Sequence, residues 1–331
     1  MLTPRQNFIE TVRGGHPDRY VNQFEAMVFV PDPISANMIP MLKPGETKVD
    51  GWGQTWSWPE GVVAQMPVHT PDLIPLHDIT KWKDVVTPPR LHYSEEEWQF
   101  AVDAANAVDR EQYLVTSMIV PGLFEVPHFL QGMEMALVNY FDEPECTKEI
   151  IDFATEFLLT AIEEITSHIH PDVMFVGDDW GSARSTFLSP DMHEEFFLGP
   201  YTKIHAKAKE CGVQFIVKHS DSYCASLIPM MIECGIDVYQ ACLTTNNTPE
   251  LIAKYGDQIT FMGDIDNQEI DVPDWSEEKV EAAVRRACER CGTEHFIPCL
   301  CSGMPHSVYP GVYESVTKAI EKVNQEKFGI S

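Results

Sequence analysis

Five short apolar runs in the second half of the sequence end in, or are followed at once by, polar or aromatic side chains. Aspartate and histidine side chains transfer protons in reactions near neutral pH when their surroundings adjust their acidity. Histidine, aspartate and cysteine side chains also bind zinc. The pattern therefore predicts acid–base or metal-assisted chemistry at one site. The residues at the ends of these runs are Asp178, Asp179, Trp180, His219, Asp221, Tyr223, Gln240, Asp264, Asp266, Cys299 and Cys301.

The apolar runs alternate with segments of helical periodicity, which indicates parallel β/α units whose strands are buried on both faces. At least five regular units favour an α/β fold of the closed (β/α)8 type, a TIM barrel, over an open sheet. No Gly-x-Gly-x-x-Gly motif follows any of the runs, which argues against a nucleotide-binding sheet. In a TIM barrel the active site lies at the carboxyl ends of the strands, where these polar residues fall. The predicted strands cover 113–118, 172–177, 214–219, 236–240, 259–263 and 296–299, and the predicted helices cover 128–140, 145–169, 189–211, 225–234 and 276–291.

The remaining sequence is less regular. Thr3 and Pro4 predict the capped start of an N-terminal helix. From about residue 31 to 95 the chain is rich in proline, tryptophan and polar residues, which predicts an irregular insertion within one domain of residues 1–331. The cluster Trp52, Trp56 and Trp58 in this insertion fits either a functional loop or a cover over the barrel bottom or a sheet edge.

Composition restricts the class of function. The chain has 51 acidic and 23 basic residues, a formal net charge of −28, which disfavours binding to nucleic acid or to an anionic membrane surface. No apolar run approaches the ~18 residues of a membrane span, and the N-terminus has no secretory pattern. The nine cysteines, an odd number, are typical of reduced thiols. We therefore expect a cytoplasmic protein.

Motifs spread over nearly the whole chain carry a resemblance to a known superfamily. They are Thr3-Pro4-Arg5-Gln6-Asn7-Phe8, Gly15-His16-Pro17-Asp18-Arg19, Gly177-Asp178-Asp179-Trp180-Gly181-Ser182, Leu188-Ser189-Pro190-Asp191-Met192, Lys218-His219-Ser220-Asp221, Gly235-Ile236-Asp237-Val238 and Gly263-Asp264-Ile265-Asp266. In combination they resemble the uroporphyrinogen decarboxylase superfamily. The resemblance implies a (β/α)8 barrel and either decarboxylation of uroporphyrinogen or corrinoid-dependent methyl transfer.

Charge favours the methyltransferase branch. Uroporphyrinogen is a polycarboxylate, so its decarboxylase needs an arginine-rich cleft, whereas the stretch 24–31 here contains Glu25 and no arginine. Within that branch the chain resembles methyltransferase I of aryl methyl ether O-demethylase systems. That resemblance implies methyl transfer from a small substrate, such as guaiacol or vanillate, to the Co(I) of a corrinoid (cobalamin) bound to a partner protein. The chain itself has no Asp-x-His-x-x-Gly motif that would ligate the cobalt.

The resemblance also implies roles for particular residues. Members of this branch often bind zinc through His-x-Cys and a distal cysteine. Here His219 is present, Asp221 replaces the cysteine, and Cys301 or Cys299 stands near the distal position. Two alternatives stay open: zinc bound by His219, Asp221 and Cys301, or no zinc, with His219 and Asp221 bonding the substrate and protonating a leaving phenolate. Asp178 and Asp179 would hold a substrate hydroxyl or support its neighbours. The expected substrate-binding residues are Met118, Phe124, Trp180, Tyr223, Gln240, Asp264 and Asp266.

The sequence also contains a second spacing typical of zinc ligands, and two further functions are alternatives. Glu134, Glu149 and His170 have the Glu-x14-Glu-x20-His spacing associated with aryl-ether demethylation, although solvated helix acids and a loop histidine explain them as well. A methylcorrinoid:thiol methyltransferase would need the zinc-binding His-x-Cys pair to form a thiolate. Asp221 in place of that cysteine argues against this function. A non-catalytic binding barrel has no need for so many titratable strand ends.

Overall fold

A curled, fully parallel sheet forms the centre of the computed structural model, which describes residues 1–62 and 64–330. Val63 and Ser331, both within the predicted domain of residues 1–331, lie outside the described residues. Seven described strands pair in the order β1-β5-β6-β7-β8-β9-β10. Their bounds are β1 Met27–Phe29, β5 Leu114–Ile119, β6 Val173–Gly177, β7 Phe215–His219, β8 Val238–Cys242, β9 Thr260–Ile265 and β10 Phe296–Leu300.

The prediction of an α/β barrel of the TIM type is confirmed. Each predicted strand is present, shifted by at most two residues. Gln23, ahead of β1, bridges to the far edge strand β10: its backbone N–H donates to the Pro298 carbonyl (3.3 Å), and its side-chain Oε1 accepts from the Leu300 N–H (3.2 Å). A glutamine side chain therefore links the two ends of the seven-stranded sheet.

Helices surround the sheet and connect its strands. The predicted helix at 189–211 is present as α8, one wide turn at Glu194–Leu198, and α9. The helices are α1 Pro4–Val12, α2 Pro33–Met38, α3 Trp82–Val85, α4 Glu95–Asn106, α5 Glu125–Gln131, α6 Met133–Asp142, α7 Pro144–Ile169, α8 Pro190–His193, α9 Gly199–Glu210, α10 Ile228–Glu233, α11 Thr248–Tyr255, α12 Asn267–Ile270, α13 Glu277–Cys291 and α14 Val312–Phe328. Among residues 1–62 and 64–330, no helix is both long and apolar enough to cross a membrane.

Side chains alternate between the barrel interior and the helix layer. On β7, Phe215 and Val217 belong to the interior cluster, whereas Ile216 packs with the helices. On β6, Phe175 faces inward and Val176 faces outward. Because successive strand residues point to opposite faces, the parity of each strand decides which residues at its end can reach the barrel mouth.

The irregular segment contains a small antiparallel sheet and packs on the helix layer. Strands β2 Thr47–Val49, β3 Thr55–Ser57 and β4 Met66–Pro67 form the sheet. Trp52 packs edge-on against Phe157 of α7, and Trp56 packs edge-on against Phe129 of α5, each pair with ring centroids 5.1 Å apart. These tryptophans therefore fasten the segment to the outer side of the barrel.

Candidate functional site

His219 lies at the centre of the barrel mouth. It is the last residue of β7, it shares the inward parity of Val217, and its ring stacks on Phe175 with centroids 5.8 Å apart. Its Nδ1 is 2.6 Å from Oε1 of Gln240, and Nε2 of Gln240 donates to the Ser302 carbonyl at 2.8 Å. The Gln240 oxygen thus accepts from Nδ1–H, which places the lone pair of the neutral ring on Nε2.

Two aspartates face the exposed side of His219. Oδ1 of Asp179 is 3.8 Å from Nε2 of His219, and it accepts the backbone N–H of Asp221 at 3.3 Å. The pKa of Asp221 is raised to about 6, first because protein atoms of the concave mouth displace water around its carboxyl group and second because of the charge of Asp179. Part of the Asp221 side chain still reaches solvent. Asp221 therefore holds a proton for part of the time near neutral pH and can act as a proton donor.

A glycine leaves space beside the His219 ring. A Cβ at Gly303 would lie 3.2 Å from both Cε1 and Nε2 of His219, tighter than most contacts of a β-carbon. The Ser302 carbonyl that fixes Gln240 immediately precedes this glycine. The loop after β10 therefore orients the histidine through Ser302 and, because Gly303 has no Cβ, leaves room for its ring.

Asp178 lies behind the mouth, not within it. It has the outward parity of Val176 and is 1 % exposed. Four donors reach its carboxylate, so its acceptor positions are occupied by the protein. They are the backbone N–H groups of Phe124 and Glu125, Nε1 of Trp180 and the hydroxyl of Tyr201.

Glu125 is a titratable group that the sequence reasoning missed. It begins α5 and is buried, and its Oε2 accepts the Gly122 N–H at 3.3 Å. Burial first, and then the carboxylates of Asp179 and Asp178, raise its pKa well above the ordinary value, against the opposing effect of Lys218. The signal was an acid shortly after the end of β5, separated from it by Val120 to Phe124 rather than adjacent to it.

Asp264 does not face the mouth. Its Oδ1 accepts the Thr248 hydroxyl at 2.8 Å, and its Oδ2 lies 3.6 Å from Sγ of Cys291 on α13. Strand parity from Met262 would place Asp264 inward, but its φ of +59° turns it to the helix layer. The prediction that Asp264 contacts the substrate is therefore corrected: its side chain instead links β9 to the surrounding helices.

The other expected pocket residues are also dispersed. Asp266 caps α12 through the Gln268 N–H (2.9 Å), and Phe124 stacks on Tyr140 in the helix layer. Trp180 lies with Asp178 behind the mouth. Met118 is half-buried against the barrel interior, and Tyr223 is half-buried with its N–H bonded to the Ser182 carbonyl. Of the predicted site residues, the structure brings together His219, Asp179, Asp221 and Gln240.

Comparison with known proteins identifies the family. The family model of uroporphyrinogen decarboxylase (URO-D) matches residues 51–323. The chain belongs to the URO-D family. The predicted superfamily resemblance is thereby confirmed, and no curated protein matches the sequence.

A solved structure shares the fold of this URO-D family member. A methyltransferase from Methanosarcina mazei superposes with a TM-score of 0.67 at 12 % identity, covering 98 % of this chain and 99 % of that one. A B12-independent methionine synthase from Shewanella sp. W3-18-1, in complex with selenomethionine, reaches a TM-score of 0.49 at 14 % identity, covering 87 % and 77 %. At 12 % identity the likeness to the Methanosarcina mazei methyltransferase concerns the fold alone.

The zinc set expected from the resemblance does not assemble around His219. Sγ of Cys301 lies 3.5 Å from the Cys242 carbonyl, in a small apolar cluster with Ala241 and Leu243, and burial raises its pKa well above the ordinary value. Cys299 instead lies in the barrel interior. Across the described ranges 1–62 and 64–330, no group of three or more His, Cys, Asp and Glu side chains is arranged to hold a metal ion. These residues do not fit a zinc centre.

The second spacing fits no better. Glu134 is exposed on α6, whereas Glu149 of α7 accepts from Nε1 of Trp82 and pairs with Lys83 at 2.8 Å. His170 ends α7 in a left-handed conformation. Glu134 therefore faces solvent on α6, Glu149 is paired near the start of α7, and His170 stands at the far end of that 26-residue helix. The chemistry that the arranged residues support is proton transfer at the mouth.

Proposed function

We propose that the protein is an O-demethylating methyltransferase that moves a methyl group from an aryl methyl ether to the corrinoid of a separate partner protein. The observation that carries the proposal is the grouping of His219, Asp179 and Asp221 at the mouth, with one carboxyl that keeps a proton near neutral pH. An aryl ether that loses its methyl group becomes a phenolate, and a positioned acid assists its departure.

The residues of the mouth take distinct roles in this proposal. Asp221 donates a proton to the leaving oxygen, while His219, oriented by Gln240, bonds that oxygen or a neighbouring hydroxyl from Nε2. Asp179 holds the Asp221 backbone in place. The corrinoid supplies the nucleophile that accepts the methyl group. Because this nucleophile comes from another cytoplasmic protein, the partner must dock over the strand ends.

Charge argues against uroporphyrinogen as the substrate, although the family carries its name. The carboxyl groups of Asp179 and Asp221 lie at the mouth. Carboxylates of a polyanionic substrate would be repelled there, since like charges in a concave, partly desolvated site interact strongly. A small neutral ether meets no such barrier.

The structure also disfavours the reverse reaction with a thiol acceptor. That reaction requires a site that stabilises a thiolate. Here burial raises the pKa of Cys299 and of Cys301, and Asp221 stands where a zinc-binding cysteine would be needed. The mouth therefore favours proton donation over thiolate formation.

An optical assay tests the proposal. Purified protein is mixed with reduced cob(I)alamin and separately with guaiacol, vanillate, methanol, methylamine and uroporphyrinogen, and the corrinoid spectrum is followed. We expect a change typical of methylation with the aryl ethers only, and a rate reduced about 100-fold in Asp221→Asn. Asp257→Asn, an exposed aspartate, is the matched control.

The other outcomes redirect or contradict the proposal. Methylation from methanol or methylamine alone would keep methyl transfer and overturn the ether. Decarboxylation of uroporphyrinogen, with no methylation of the corrinoid, would overturn the methyltransferase assignment. An unchanged corrinoid spectrum with every compound would also overturn the methyltransferase assignment, provided that the protein remains folded during the assay.

A further inference from the structure

Lys218 is a fully buried cationic side chain directly beside the mouth. It precedes His219 on β7, and its outward parity points it away from the barrel interior into the helix layer. Its relative exposure is 0 %. Removing an ammonium group from water is costly unless protein dipoles and charges replace its hydration. The groups that contact Lys218 must therefore compensate for the free-energy cost of burying its ammonium group.

The ammonium group bonds the backbone of two neighbouring strand ends. Nζ donates to the carbonyl of Asp178, just beyond β6, and to the carbonyl of His219, at the end of β7, the latter at 2.8 Å. It also lies 4.3 Å from the centroid of the Trp180 ring, a favourable cation–π contact. One side chain thus connects the two strands where their ladder ends.

These two carbonyls belong to the residues whose spacing defines the site. The Asp178 carbonyl forms the peptide bond to Asp179, and the His219 carbonyl is that of the central histidine. The last registered pair between β6 and β7 is Gly177 with His219. Beyond that pair, the bonds of Lys218 help to determine where Asp179 lies relative to Nε2 of His219, now 3.8 Å away.

We propose that Lys218 is a positioning residue, which sets the geometry of Asp179 and His219 by clamping the backbone of both strand ends without touching the substrate. The inference rests on the proposed function for its catalytic consequence. The competing explanation is that Lys218 only balances the buried charge of Asp178. The two explanations differ in what happens when both charges are removed together.

The experiment compares Lys218→Met with the double variant Lys218→Met/Asp178→Asn. The double variant leaves no unpaired buried charge from this pair and keeps the side-chain volumes close. Asp178→Asn alone is measured beside it, because an amide cannot accept all the hydrogen bonds that the Asp178 carboxylate accepts. Lys207→Met, at a partly exposed lysine paired with Glu163, is the control. Melting curves establish folding before any rate is measured.

If Lys218 clamps the two strand ends, the double variant will remain defective in methyl transfer. In the corrinoid assay we expect kcat reduced about 100-fold with KM changed less than about threefold, because a misplacement of about 1 Å has effects of this size. In ¹⁵N-histidine NMR spectra, the His219 ring signals move in both Lys218 variants and stay in place in Lys207→Met. Wild-type rates and an unmoved His219 signal in the folded double variant would overturn the proposal.

The NMR arm separates this proposal from the proposed function. If the wild-type protein methylates no corrinoid, the catalytic assignment fails, but the position of the His219 signals still decides whether Lys218 sets the geometry. If the wild-type protein is active and the double variant retains its rate, only the clamp fails.

Discussion

One nitrogen of His219 is held and the other faces the site. Nδ1 meets Gln240 on the neighbouring strand, and Nε2 faces Asp179 and the space beside Gly303. The hydrogen bond of one ring nitrogen determines the protonation state of the other. At the residue scale, the chemistry of the mouth therefore depends on a glutamine that need not touch the substrate.

Removing the Gln240 amide tests this dependence. Gln240→Leu keeps a similar volume but leaves Nδ1 of His219 and the Ser302 carbonyl without this partner, so we expect stability to fall by about 1–3 kcal/mol. We also expect kcat for methyl transfer to fall about 10- to 100-fold. The exposed Gln258→Leu serves as the control. An unchanged kcat in Gln240→Leu would show that ring orientation is unimportant.

The raised pKa of Asp221 predicts a pH dependence of the rate. The donor form of this carboxyl predominates below about pH 6 and is lost as the pH rises through that value. We therefore expect kcat to decrease on the alkaline side of about 6 in the wild-type protein. Asp221→Asn should give a low rate that does not follow this titration. A wild-type kcat that rises steadily from pH 5 to 8 would contradict the assignment.

At the element scale, Asp178 joins parts of the chain that are distant in sequence. Its carboxylate accepts from the start of α5, from Trp180 just beyond β6 and from Tyr201 on α9. The first N–H groups of any helix have no partner within the helix. Asp178 supplies that partner for the backbone N–H groups of Phe124 and Glu125 at the start of α5. Asp178, which the sequence predicts to be catalytic, therefore holds α5, α9 and the end of β6 together through hydrogen bonds.

Truncation of Asp178 measures this role. Asp178→Ala leaves four donors unpaired and removes the carboxylate whose charge most favours the charged form of Lys218, so we expect a loss of about 3–5 kcal/mol in the free energy of unfolding. Urea titration gives the value. Asp257→Ala, at an exposed turn, should stay within about 0.5 kcal/mol of the wild type. Similar stabilities for the two variants would show that the Asp178 network contributes little.

At the scale of the whole molecule, a buried histidine links stability to pH. His205 on α9 is buried, with Nδ1 2.7 Å from the Cys234 carbonyl, and burial lowers its pKa to about 4. In the unfolded chain the imidazole binds a proton near its ordinary pKa of about 6.5. Between these values the unfolded state binds more protons, so stability rises with pH in that window.

This linkage predicts acid sensitivity. His205 stabilises the folded protein fully above about pH 6.5, and on the order of 3 kcal/mol of that contribution is lost as the pH falls to about 4. Urea unfolding at several pH values should give a shallower dependence for His205→Asn than for the wild type. The exposed His92→Gln is the control. Parallel curves for wild type and His205→Asn would contradict the prediction.

The sequence by itself determined the barrel and the end at which the site lies. Alternating apolar runs and helical segments predicted six of the seven described strands of the central sheet within two residues, because buried parallel strands require such runs. The three-residue strand β1 was not predicted, since it is too short to form such a run. Parallel strands bring their carboxyl ends to one face, so His219, Asp221, Asp179 and Gln240 were expected near one another. The spacing along β7 also placed His219 and Asp221 two residues apart, with the same parity.

Only the tertiary structure decided which of these side chains enter the mouth. A shift of one residue reverses the face of a strand, so Asp178 and Asp179 point to opposite sides, and the left-handed backbone at Asp264 overrides its strand's parity. The contact of His219 with Gln240 depends on the register between β7 and β8. The clamp of Lys218 and the burial of Glu125 arise from packing between distant segments, which local periodicity does not encode.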